Sequence, residues 1–271
     1  MKMKGFSKVA LLVVVLIGCS VLGVKLSVAN EKKVYIFDDQ LREVMVWEAS
    51  KETGETIEDE LPTVRQLEEI QEVSFMDVTS IEGLQYAKNT KLLTITNDDY
   101  SETKRTITDL RPIGELTQLE SIMCYSFLTK EEPEQDISYM KNLNELKSLH
   151  LSNFPVLDIT PLSGLKNLEY LVVNQAYPVS IDSIAVNSAD RSCVMEQPVK
   201  YSTQFDNAVK TIECKDEKGN EFPDVHVETD GRKVSITNIP TDMNELFLQF
   251  HGYTEKSINA DFIVKIPIFW Y

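Results

Sequence analysis

The segment KSLHLSN places His150 between Ser148 and Ser152, and a histidine beside serines is the first pattern here that could do chemistry. Nucleophilic catalysis needs a hydroxyl within hydrogen-bond reach of its base, and a third group that orients the base. Serines flank histidines readily by chance, and the chain has no nucleophile elbow, phosphate-cradling glycine loop or metal signature. No catalytic residue is assigned, and the chain is read as non-enzymatic. His226 and His251 read as packing or surface residues. The four cysteines, Cys19, Cys124, Cys193 and Cys214, form no CxxC or Cys/His cluster, so zinc is not indicated. Cys193 and Cys214 are a candidate pair after export, but spacing alone does not set disulfide geometry. The acidic run NDDYSE (97–102) lacks the ligand spacing of a calcium loop. No cofactor or metal is expected.

The elements that must position these residues are repeats. Four stretches fit one template: VTSIEGLQYAKNTKLLTI, ITDLRPIGELTQLESIMC, EQDISYMKNLNELKSLHL and VLDITPLSGLKNLEYLVV. Apolar residues stand at the fourth, seventh, sixteenth and eighteenth places, and the third and fourth stretches add leucine at the tenth and thirteenth. This is the leucine-rich repeat rhythm, a short strand followed by a return segment. One unit cannot bury its apolar face, so neighbours stack into a curved parallel sheet. The fourth-place residues Ile81, Leu110, Ile137, Ile159 and Ile181 are separated by 29, 27, 22 and 22 residues. The basic period is therefore 22, with insertions at NDDYSETKR and FLTKEEPEQ that follow the first two strands.

Strand side chains alternate, so the sixteenth and eighteenth places point inward and the fifteenth, seventeenth and nineteenth line the concave face. That face carries Met123, Tyr125, His150, Tyr170, Val172 and Asn174, an aromatic and apolar patch of the kind enriched at protein-binding hot spots. Cys124, at an inward place, reads as a small core hydrophobe.

Residues 30–77 do not fit the template. Leu41, Val44, Met45 and Glu48 fall at helical spacing after Asp38 and Asp39, and Pro62-Thr63 opens a second short helix. The strand EVSFM then leads into the repeats, so 30–77 reads as a helical N-terminal cap and 78–185 as the repeats. From 186 to 271, PVKYSTQF, AVKTIEC, DVHVET, KVSITNI, ELFLQFHG and DFIVKIPIF alternate between turn signals. These suggest an immunoglobulin-like β-sandwich whose first strand packs on the last repeat.

The 271-residue chain opens with MKMKGFSK and a mostly apolar run from Val9 to Val24, a pattern that reads as an export signal over residues 1–29. Three fates stay open: cleavage after Ala29, lipidation at Cys19 in LIGC, or an uncleaved anchor. Removing residues 1–29 takes away four lysines and no acid, leaving 23 basic and 43 acidic residues, a net of −20. Such a charge argues against nucleic acid and anionic lipid surfaces and favours solubility.

ITDLRPIGELTQLESI and DITPLSGLKNLEYL resemble the repeat of the internalin family of Gram-positive surface proteins, including the proline after the Asp-hydrophobic-X triplet. The order signal, helical cap, repeats and immunoglobulin-like module is also similar to that family's, and QPVKYSTQ with KDEKGNEF resembles the start of its inter-repeat domain. The resemblance implies protein binding on the concave face. This chain has only four full repeats, two with insertions, and ends at IPIFWY without an LPxTG signal, so the expectation is a short, secreted form not anchored by sortase. The favoured function is an extracytoplasmic protein-binding module with a host or envelope protein as partner. The alternative is an envelope assembly component with a membrane tether through Cys19.

Overall fold

Every second residue of each repeat strand is apolar, and in a computed structural model of the protein these strands stack in register. The structure describes residues 31–96, 107, 109–125 and 134–271. The expected export signal with Cys19, the NDDYSE run and most of the second insertion lie outside the described residues. Strands β1 (Glu72–Met76), β2 (Leu92–Thr96), β3 (Ser121–Tyr125), β4 (Ser148–Ser152) and β5 (Tyr170–Asn174) pair parallel in chain order. Their inward residues, Val73 and Phe75 through Leu171 and Val173, are buried. Each return is a short 3-10 turn: Leu84–Tyr86, Arg111–Glu115, Ser138–Asn142 and Thr160–Gly164. The seventh-place residues Leu84, Ile113, Met140 and Leu162 are buried within these turns. The amides of all four bond back to the fourth-place carbonyls of Ile81, Leu110, Ile137 and Ile159 at 2.9–3.1 Å. The template is thus a burial pattern and a hydrogen-bond pattern at once.

Ahead of the repeats, helix α1 (Asp39–Thr53) buries Leu41, Met45, Glu48 and Ala49 and packs against β1, while Val44 is half-buried. Asp38 is the N-cap: its Oδ1 accepts from the Gln40 and Leu41 amides at 3.1 Å. Its Oδ2 accepts from the Thr79 amide and hydroxyl, both at 2.8 Å, so one carboxylate ties the helix start to the first repeat. Helix α2 (Val64–Glu68) starts in a capping box between Thr63 and Gln66.

After the repeats the chain forms β6 (Val179–Ser180), β7 (Ile184–Val186), β8 (Cys193–Glu196), β9 (Val209–Lys215), β10 (His226–Thr229), β11 (Lys233–Thr237), β12 (Glu245–Tyr253) and β13 (Ile258–Trp270). Strands β10, β11 and β8 make an antiparallel three-stranded sheet. The others extend the repeat sheet, which runs β1-β2-β3-β4-β5-β13-β12-β9, with β6 and β7 also on β13. Two sequence expectations change here. The strand that continues the repeat sheet is β13, parallel to β5, and not the first strand of the region. PVKYSTQF forms no strand but a 3-10 turn at Thr203–Phe205. The turn is held on the last return segment, where Gln204 Nε2 donates to the Leu162 and Leu165 carbonyls at 3.0 and 3.1 Å. Side-chain bonds to that return replace the ladder that its alternation suggested.

Cys124, Cys193 and Cys214 are buried free thiols. Burial pushes their pKa values up, to about 12, 11 and 12 respectively. Among the described residues no helix is long and apolar enough to cross a membrane.

Two substitutions probe this frame. Burial alone would raise the Asp38 pKa, but the hydrogen bonds from Thr79 and Leu41 outweigh it, and the net shift is downward. The stability Asp38 adds is therefore present above the ordinary aspartate range and lost as pH falls through its lowered value. Asp38→Ala is expected to cost about 1–2 kcal/mol in urea unfolding near neutral pH, and the deficit should shrink in acid. An equal deficit at both pH values would contradict this role. Gly114 packs against the next repeat so closely that a Cβ there would stand 2.7 Å from the Tyr139 carbonyl oxygen. Gly114→Ala should lower stability by about 1–3 kcal/mol, whereas Gly164→Ala, with nothing within 4 Å, should not. Urea titrations of the two variants make the comparison.

Candidate protein-binding face

The side of the sheet opposite the return turns carries the fifteenth, seventeenth and nineteenth residues of each repeat. Register sets them in rows. Glu72, Leu92, Ser121, Ser148 and Tyr170 form one row, and Ser74, Thr94, Met123, His150 and Val172 the next. Beyond these, Met76, Thr96 and Tyr125 align on β1 to β3, and Ser152 with Asn174 on β4 and β5. All six residues expected to bind therefore lie on this face.

The structure brings three of their rings together. The Tyr125 and His150 rings meet edge to face with centroids 4.9 Å apart, and His150 lies 6.4 Å from Tyr170. The Tyr125 hydroxyl donates to Met123 Sδ at 3.4 Å. Val172 neighbours His150 in the register. Tyr170 remains 39% exposed, and Met76 and Leu92 on the same face are 56% and 37% exposed. Asn174 stands apart from the rings at the border with β13, where its Oδ1 is buried with no hydrogen-bond partner among the described residues.

His150 makes no hydrogen bond to Ser148 or Ser152 among the described residues. Its surroundings are aromatic, and burial lowers its pKa from 6.5. A desolvated neutral imidazole between tyrosine rings is a contact group. Among the described residues no three His, Cys, Asp or Glu side chains are grouped so as to hold a metal ion.

Sequence reasoning missed the continuation of this face past the repeats. Because β13 pairs with β5 from Ile258↔Leu171 to Asp261↔Asn174, the rows run on through Asn259 and Asp261 to Tyr253 and His251. Val172, Asn174, His251 and Asp261 border a hollow of about 630 Å³. There His251 Nδ1 is hydrogen-bonded to Asp261, and its Nε2 lies 3.7 Å from Glu213 Oε2. Lys215, 2.9 Å from Glu213, holds that carboxyl below its usual range. No local motif marks these residues, since only the pairing of β13 with β5 brings them to the patch.

No family model matches the chain, and no curated protein matches it. Solved structures do. The chain is similar to internalins. An internalin from Listeria monocytogenes shares 22% identity over 55% of this chain and 49% of its own, with a TM-score of 0.35. The functional domain of InlJ from the same organism shares 15% identity over 77% of this chain and 45% of its own, with a TM-score of 0.42. A secreted internalin-like protein of that organism is 13% identical over 88% of this chain and 100% of its own, with a TM-score of 0.41. The chain thus spans about half the length of the first two.

The His150 environment gives a pH expectation. The neutral ring is favoured by folding, so its contribution is present above the unfolded histidine value and is lost as pH falls through the lowered one. A histidine proton NMR titration should place His150 below 6.5, and Tyr125→Ala, by admitting water, should raise it. A wild-type midpoint at or above that value would contradict the desolvated placement.

Proposed function

We propose that the protein is an exported, non-enzymatic protein-binding module that seats its partner on the concave face of the repeats. Residues 30–77 serve as the N-terminal cap, 78–185 as the repeats, and 186–271 as a closing immunoglobulin-like module. The observation that carries the reading is the ring cluster of Tyr125, His150 and Tyr170 on one sheet face, where Tyr170 is 39% exposed. Rigid aromatic side chains present large contact area at low entropic cost and dominate hot spots. Met123 and Val172 extend the apolar area of this face. The resemblance to internalins, whose members bind proteins, points the same way.

The test begins with photo-crosslinking residues introduced at 125 or 170, with position 166 on the return side as control. An adduct formed only from the sheet face identifies the partner. Tyr125→Ala and Tyr170→Ala should then weaken binding of that partner by about tenfold or more, with unchanged circular dichroism. Unchanged affinity in both variants would sink the site assignment.

A further inference from the structure

Away from the sheet face, strands of both C-terminal sheets border a cleft of about 1130 Å³ next to the last repeat. Its floor is apolar, made by Tyr201, Ile212, Val227 and the buried Phe250. Its rim is basic, with Lys200, Lys210, Arg232 and Lys233. Two acids, Glu196 and Asp230, also line it. Asp230 accepts the backbone amides of Arg232 and Lys233 at 2.8 and 2.7 Å, and Glu196 stands opposite Lys233 in the β8–β11 register. Lys200 pairs with Asp158 at 3.1 Å. Lys210 and Arg232 form no ion pair among the described residues, and the Lys210 ammonium lies 5.1 Å from the centre of the Tyr201 ring. The lining carries four cations and two acids in a chain of net charge −16; with Lys200 offset by Asp158 and Lys233 faced by Glu196, the excess positive charge sits at Lys210 and, beside Asp230, at Arg232.

We propose that this cleft binds a monomeric amphipathic anion, a ligand with an apolar body and one phosphate, carboxylate or sulfonate group. The apolar body would displace water from the floor between the sheets, which is the main driving force in concave sites. The head group would take charge-assisted hydrogen bonds from Arg232 and Lys210 at the mouth. The site is separate from the ring cluster and does not depend on its role.

Decyl phosphate, kept below its micelle concentration, is the probe, and amide NMR shifts of the full chain are the readout. Saturable shifts are expected at Lys210–Ile212, Val227 and Gly231–Lys233. Decyl maltoside, with the tail but no charge, and inorganic phosphate, with the charge but no tail, should each bind at least about tenfold more weakly. Combining Lys210→Glu with Arg232→Glu, both exposed positions, should weaken decyl phosphate about tenfold or more, while Tyr125→Ala should leave it unchanged. Shifts centred elsewhere, equal affinity for the maltoside, or indifference to the double charge reversal would each overturn the proposal.

Discussion

A parallel sheet of five-residue strands has two edges, each with a row of backbone donors and acceptors that one more repeat would pair only by exposing the same row again. This chain meets that constraint differently at its two ends. At the first, α1 packs against β1, and Asp38 joins the helix start to Thr79 through a single carboxylate. At the other, β13 adds to β5 in the same parallel direction, and the sheet runs on antiparallel through β12 to β9, which becomes its edge. An unpaired edge is an aggregation hazard, and these two additions keep the edges of the repeat strands themselves covered or paired. The core accordingly runs without a break from Ile36 through the repeats to Ile266.

The repeats were legible because burial and backbone pairing repeat with the same period. Ile81, Leu84, Leu93 and Ile95 each recur one unit later in an equivalent buried place. The helix start was legible through Asp38, and most C-terminal strands through their alternation. What local pattern does not contain is which distant strands pair. PVKYSTQF alternates like a strand, yet Gln204 turns it onto the last return segment. Nothing near Ile258 marks it as a neighbour of Leu171. The same gap explains the site. Tyr125, His150 and Tyr170 were predictable because one template places all three, whereas His251 and Asp261 join that face only through long-range pairing.

The face and the cleft divide the surface by chemistry. The repeat face offers aromatic rings with few charges. Toward β9 it becomes ionic, with Glu213, Lys215, His251 and Asp261 already bonded to one another. Such internally satisfied groups contribute shape and exclusion more than attraction. Between the two sheets, Lys210 and Arg232 line a cleft that lies away from the rings.

The pairing of β13 with β5 also sets a timetable. A chain made or exported amino end first presents β5 long before its neighbour exists; Gln175, just past that strand, bonds to Ile263, 88 residues later. Closing so long a loop is entropically slow. Until it closes, β5 is a bare parallel edge, and a second nascent chain in the same state offers an identical one. Crowded synthesis is therefore the moment at which copies of this protein are most prone to pair with one another instead of with themselves.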